Sequence, residues 1–140
     1  NLKNSALMII DIDNFKTVND RYGHVAGDAV LSRIASVLSS AVDPDAIIAR
    51  WGGEEFIVFL CKEADYRKYA EDLRKAVENS ETTFDGGKIK VTVSIGVCHV
   101  SKKVNPDEFS RIINIADNNL YAAKKSGKNC IEFASEDVLV

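Results

Sequence analysis

Three short stretches of the chain gather residues that can do chemistry. The first is Asp11-Ile12-Asp13, two acids at the end of an apolar run. Carboxylates in such a place can hold a divalent cation outside a sheet edge through hard oxygen ligands. Asp13 can equally cap the helix that follows. The second is Gly52-Gly53-Glu54-Glu55-Phe56. Glycines leave room for the close approach of a phosphate or a ligand, and a Gly-Gly pair also makes an ordinary type I′ hairpin turn. Successive strand residues point to opposite faces, so one of Glu54 and Glu55 can face Asp11 while the other does something else. Two adjacent acids at a turn can also be plain solvated surface. The third stretch is Lys124-Lys125-Ser126-Gly127-Lys128-Asn129. Cations at the end of a helix complement its dipole. Together with Lys16 they can also clamp a triphosphate, and an acidic protein needs such a local positive cluster for that ligand.

A scaffold must bring these stretches together, and the hydrophobic patterning predicts one. Ala6–Ile12 is a short Ile-rich run that reads as a buried strand. Phe15–Tyr22 predicts a short helix stopped by Gly23. From Asp28 to about Val42, apolar residues at 30, 31, 34, 37, 38 and 41 form one helical face. Pro44 and Asp45 make a turn. Ala46–Trp51 and Glu54–Cys61 read as two strands around a two-residue Gly52-Gly53 turn, a hairpin signal. Asp65–Asn79 is an amphipathic helix, with Tyr66, Tyr69, Ala70, Leu73 and Val77 on one side. Lys88–Val100 reads as a strand that turns Ile89, Val91, Val93, Ile95 and Val97 inward. Pro106 opens a helix, at a position where its missing N–H does little harm, and Gly127 ends it. Cys130–Phe133 closes the sheet. The expected class is α/β, with a mixed, partly antiparallel central sheet flanked by helices.

Composition bounds the function. The chain has 140 residues, 46% of them hydrophobic and 28% charged, which suits one domain with a real core. Two prolines and this hydrophobic content exclude a disordered or fibrous chain. The net charge is −3, which argues against a nucleic-acid partner, since that requires a basic face. One anionic ligand remains compatible if a few cations and a metal meet at one site. Cys61, Cys98 and Cys130 show no C-x-x-C pattern and read as buried thiols of a reducing compartment. The longest uninterrupted apolar run, Ala6–Ile10, is far below the roughly 20 residues of a membrane span, and no signal peptide is evident. The chain begins at Asn1 rather than Met, as expected of a piece of a longer protein.

Taken in order, these blocks resemble the GGDEF domain of diguanylate cyclases. The resemblance is carried by DIDNFKTVND-x-x-GH-x-x-GD-x-VL over Asp11–Leu31, RWGGEEF over Arg50–Phe56, VTVSIGV over Val91–Val97, AD-x-x-LY-x-AK over Ala116–Lys124 and GKN over Gly127–Asn129. It implies a fold similar to the palm of nucleotidyl cyclases and polymerases, with residues 1–140 as one domain of a longer signalling protein. It implies condensation of two GTP molecules into cyclic di-GMP with loss of pyrophosphate, one GTP per subunit, across an antiparallel homodimer. Asp11, Glu54 and the backbone carbonyl of Ile12 match metal-ligand positions, for Mg²⁺ with Mn²⁺ as a substitute. Glu55 is similar to the acid that assists deprotonation of the 3′-hydroxyl. Gly52 and Gly53 give the nucleotide room. Asn19 and Asp28 match the residues that read the guanine edge. Lys16, Lys124 and Lys128 match phosphate-contacting positions, along with the N–H groups of Asn14 and Phe15. His24 falls in the matching Gly-His turn and reads as structural. A fused sensory or receiver domain and a cytoplasmic location for the domain, with a parent protein that can be membrane-anchored, are implied in the same way.

The chain departs from the family pattern in three places. Lys128 stands where members usually carry Arg, keeping the charge but losing the planar fork. Asp43 and Ala46 occupy the positions of the Arg-x-x-Asp product-binding motif, so no product-inhibition site is expected. The family domain usually begins about twenty residues earlier, with an LTGL-x-N-R stretch that this chain starts too late to show. A silent GTP-binding regulatory module and a purely structural dimerisation module are the competing expectations. The intact GGEEF, Asp11, Asn19 and Asp28 argue against both.

Overall fold

The near-continuous apolar run after Asn4 forms β1 (Ser5–Ile12), with almost every residue buried, as a strand covered on both faces must be. The computed structural model describes residues 4–101 and 105–135. The remaining elements are α1 (Phe15–Tyr22), α2 (His24–Ala41), β2 (Ile47–Arg50), β3 (Glu55–Leu60), α3 (Tyr66–Glu78), β4 (Thr82–Phe84), β5 (Gly87–Ile89), β6 (Val93–Val100), a 3-10 turn (Pro106–Glu108), α4 (Phe109–Lys125) and β7 (Ile131–Ser135).

Five strands form the main sheet in the order β2-β3-β1-β6-β7. All neighbours are antiparallel except β6 and β7, which run parallel. The mixed α/β class read from the sequence is therefore the observed one. Even-numbered residues of β1 (Met8, Ile10, Ile12) join a core with Val30, Ile34 and Leu38 of α2 and Leu73 and Val77 of α3. Odd-numbered ones (Leu7, Ile9) pack with Ile57, Cys98 and, from α4, Ile112, Ile115, Ala116 and Leu120. Asp11 continues the odd series, so its side chain emerges on the α4 face. On that face Gly96 is needed, because a Cβ there would overlap the Ala116 carbonyl and the Leu120 backbone.

The structure corrects several expected boundaries. α2 starts at His24 rather than Asp28, because its first turn carries Ala26 and Gly27, small buried residues that add nothing to an apolar stripe. The expected strand from Lys88 to Val100 is two elements. β5 pairs with β4 in a separate two-stranded ribbon, and the main-sheet strand begins only at Val93. Val91 is consequently half-buried rather than central. Of the three cysteines expected to be buried, Cys98 is, while Cys61 and Cys130 are only half-buried.

Candidate active site at the end of β1

Pairing of β1 with β3 sets Asp11 directly opposite Glu55. Both side chains therefore lie on one face, and Glu55 rather than Glu54 is the closer partner of Asp11. The backbone of Glu54 is held to β1 as well, accepting from the Ile12 N–H at 3.3 Å. The connection between β2 and β3 is not a two-residue turn. β2 ends at Arg50 and β3 begins at Glu55, so residues 51 to 54 form a loop, closed by the Trp51 N–H donating to the Glu55 carbonyl at 2.7 Å. Gly52 and Gly53 do not adopt the positive φ of a type I′ turn. The Arg50 guanidinium ties the loop down instead, donating to the Gly53 carbonyl at 3.0 and 2.6 Å.

The acids crowd one another. Burial pushes the Glu55 carboxyl up to about 7, aided by a hydrogen bond with Asp11 and by the charges of Asp11, Asp117 and Glu54. Glu54 is raised as well, by burial and by Asp11, against a lowering pull from Lys124. A group of hard oxygen donors that resists its own ionisation fits a divalent cation, which would relieve the repulsion. Asp11 and the Ile12 carbonyl both meet Lys124, and Glu54 feels the charge of Asp11. Among the described residues no three His, Cys, Asp or Glu side chains form a ready ligand shell.

Asp13 does not cap α1. The N-cap is Asn14, in the left-handed region at φ 57°. Asp13 is instead a buried hub, 3% exposed. Its carboxylate accepts from Thr92 Oγ1 at 2.7 Å, Ser94 Oγ at 2.6 Å, Lys124 Nζ at 2.8 Å and the Asn129 N–H at 2.9 Å. Burial alone would raise its pKa, but these four bonds together bring it below the usual value. Lys124 also reaches Asp11 at 2.9 Å and the Ile12 carbonyl at 3.3 Å. Burial pulls its ammonium down, and the bonds to Asp11 and Asp13 outweigh that and leave it raised.

After α4 the chain passes through three consecutive left-handed residues, Gly127, Lys128 and Asn129. Two of them are not glycine, and such a conformation persists only where surroundings enforce it. Here the Asn129 side chain accepts from Arg74 at 2.7 Å and donates to Glu78 at 2.7 Å, while its N–H is held by Asp13. Arg74, nearly buried in α3, is locked in turn by Glu71 at 2.7 Å. This bracket aims Lys128 Nζ at Asn14 Oδ1, 2.6 Å away. Lys16 lies in the next turn of chain, exposed and paired with Asp20. Phe15 is buried in the core, so only its backbone can serve a ligand.

The expected base-reading residues are less tightly gathered. Asp28 is exposed and lines an open cavity of about 530 Å³ with Leu31, Ser32, Arg50 and Phe56. Asn19 does not line it. Its side chain packs against Gly27, where any Cβ would overlap Asn19 Oδ1. His24 merely opens α2 and is exposed. Asp43 is committed elsewhere: it forms an ion pair with Lys62, and its N–H donates to Tyr69 Oη at 2.8 Å. Ala46 is half-buried against the core. Sequence reading singled out no role for Arg74, Thr92, Ser94 or Asp117, and it placed Asn129 in the third stretch without one. The one available signal was Ser94, a polar residue between the apolar Val93 and Ile95 of a buried strand.

The family described as "Diguanylate cyclase, GGDEF domain" matches residues 1–130. Diguanylate cyclase A of Treponema denticola is 39% identical over 135 residues, covering 95% of this chain and 36% of that protein. Diguanylate cyclase DgcZ of Escherichia coli is 35% identical over 139 residues, covering 98% of the chain and 46% of that protein. The chain thus spans less than half the length of these curated relatives. Among solved structures, diguanylate cyclase SiaD of Pseudomonas aeruginosa, in complex with its activator SiaC, superposes with a TM-score of 0.86 at 34% identity over 94% of this chain and 50% of that one. The active GGEEF domain of a diguanylate cyclase from Vibrio cholerae gives 0.79 at 28% identity, over 94% and 83%.

Proposed function

The chain belongs to the GGDEF-domain diguanylate cyclase family, and from that premise we propose that it joins two GTP molecules into cyclic di-GMP with release of pyrophosphate. The observation that carries this reading is the Asp11–Glu55 pair across β1 and β3, with Glu54 beside it, Lys124 on Asp11 and Lys128 on Asn14. Asp11, Glu54 and the Ile12 carbonyl would hold Mg²⁺, or Mn²⁺ in its place. A cation held by these groups would supply Lewis-acid chemistry, stabilising phosphate charge and favouring ionisation of a 3′-hydroxyl. Glu55, near neutrality in its pKa, is suited to receive that proton, since a general base works best when poised close to the working pH.

Lys124, Lys128 and Lys16, with the N–H groups of Asn14 and Phe15, would hold the phosphates. Gly52 and Gly53 present no side chain to obstruct them. Asp28 would accept from guanine N1–H and the exocyclic amine, with Asn19 supplying a further polar contact. Each protomer would hold one GTP, and turnover would require a homodimer that brings two half-sites together. No helix among the described residues is long and apolar enough to cross a membrane. The domain would work in the cytoplasm as the output of a longer protein carrying a sensory or receiver domain.

The test is incubation of the protein with GTP and Mg²⁺ at concentrations where a dimer is verified, with chromatography for cyclic di-GMP. Asp11→Asn and Glu54→Gln should abolish turnover with the fold retained. GTP binding without product in a verified dimer would overturn the cyclase reading and leave a regulatory GTP-binding module.

A further inference from the structure

Lys124 projects from the last turn of α4 into the carboxylates at the end of β1. Its Nζ lies 2.9 Å from Asp11 Oδ1, 2.8 Å from Asp13 Oδ1 and 3.3 Å from the Ile12 carbonyl oxygen. Two of those three groups, Asp11 and Ile12, are the ones assigned above to the divalent cation. The third is different in kind. Asp13 is pinned by Thr92, Ser94 and the Asn129 N–H as well as by Lys124. A second positive charge at the oxygens of Asp11 and Ile12 is opposed by the Lys124 ammonium already there, because repulsion between them is weakly screened in a half-buried site.

We propose that the Lys124 ammonium and a divalent cation exchange on Asp11 and the Ile12 carbonyl, with Asp13 as the fixed pivot on which Lys124 turns toward the phosphates of the substrate. The inference rests on the reading of Asp11 as a cation ligand. It makes Lys124 a positioning residue with two posts. Without phosphate, Lys124 keeps the acids neutralised. With phosphate, it is drawn off Asp11 and clears the cation's oxygens. Cation and polyphosphate then strengthen each other's binding through one side chain, which is linkage in the ordinary thermodynamic sense.

The experiment uses Mn²⁺ as probe, titrated without nucleotide and followed by electron paramagnetic resonance, against wild type, Lys124→Met and Asp11→Asn. Removing the tethered competitor forfeits a charge-assisted bond to Asp11, so Lys124→Met should bind Mn²⁺ about tenfold tighter than wild type. Asp11→Asn should lose binding. Equal affinity in wild type and Lys124→Met, with binding still lost in Asp11→Asn, overturns the exchange and leaves the cation site standing. Binding indifferent to Asp11 overturns both. A second measurement needs no variant and decides the matter if Lys124→Met does not fold. Wild-type protein is acylated with acetic anhydride with and without saturating Mg²⁺, and Lys124 and Lys125 are compared by mass spectrometry. Exchange predicts a several-fold faster modification of Lys124 with Mg²⁺ and no change at exposed Lys125. An unchanged Lys124 rate overturns it.

Discussion

Replacing Glu55 by Gln should make the protein more stable while removing its activity. Glu55 is raised from 4.5 to about 7, first by burial and then by its carboxylate neighbours. Taken whole, that shift corresponds to at most about 3 kcal/mol of unfavourable ionisation at neutral pH, at about 1.4 kcal/mol per unit. Glu55 keeps part of its surface in water and shares its charge with Asp11, so screening reduces the gain from Gln to about 1–2 kcal/mol. For a chain of 140 residues, an unfolding entropy of about 2 cal/mol/K per residue converts this into about 3–7 °C in Tm. The native state holds the Glu55 proton more tightly than the unfolded chain does. Its stabilising contribution is therefore complete below 4.5 and lost as pH rises through about 7. Thermal melts of wild type and Glu55→Gln in EDTA between pH 4.5 and 8 test this. The variant's advantage should be absent at the acid end and full at pH 8. A variant that melts at or below wild type at pH 8, or whose advantage is the same at both ends, would refute the charge-crowding argument.

Three further outcomes are expected. Gly27→Ala drives a methyl into Asn19 Oδ1. It should weaken GTP binding about tenfold or more through a displaced polar contact and narrow the preference over ATP, as measured by calorimetry with both nucleotides. Arg74→Met strips the donor from Glu71, Glu78 and Asn129. It should cost about 1–3 kcal/mol in denaturant melts and raise the KM for GTP more than it lowers kcat, because the Lys128 bracket loosens. Cyclic di-GMP titrated into a turnover assay should not inhibit through Asp43 and Ala46, since the Asp43 carboxylate repels phosphate and is already paired with Lys62. Non-competitive inhibition that vanishes on changing Asp43 would contradict this.

Legibility in the sequence followed burial. β1 and α1 were read to within one residue, because an unbroken apolar run and a terminating Gly23 leave few alternatives. The β4–β5 ribbon was missed, since Thr82–Phe84 is too short to show a period and its partner merges with β6 in sequence. The acids of the site were legible as candidates, but their pairing was not. Whether Glu54 or Glu55 meets Asp11 depends on strand register, which the loop of residues 51 to 54 sets. Asp13 was weighed as a helix cap because local sequence favours caps. Its actual partners come from residues 92, 94, 124 and 129, which no local pattern connects. Arg74 looked like one more polar position on an amphipathic helix.

The left-handed run at Gly127, Lys128 and Asn129 also bears on how fast and at what entropic cost an anion can be captured. Ordering one loose backbone residue costs about 1–2 kcal/mol. At Lys128 and Asn129 that loss belongs to folding, since Asp13, Glu78 and Arg74 already hold the bracket. An arriving phosphate would freeze only the rotors of Lys16, Lys124 and Lys128. Capture should then proceed without a slow loop-ordering phase and with a small entropic penalty, the signature of a preorganised receptor.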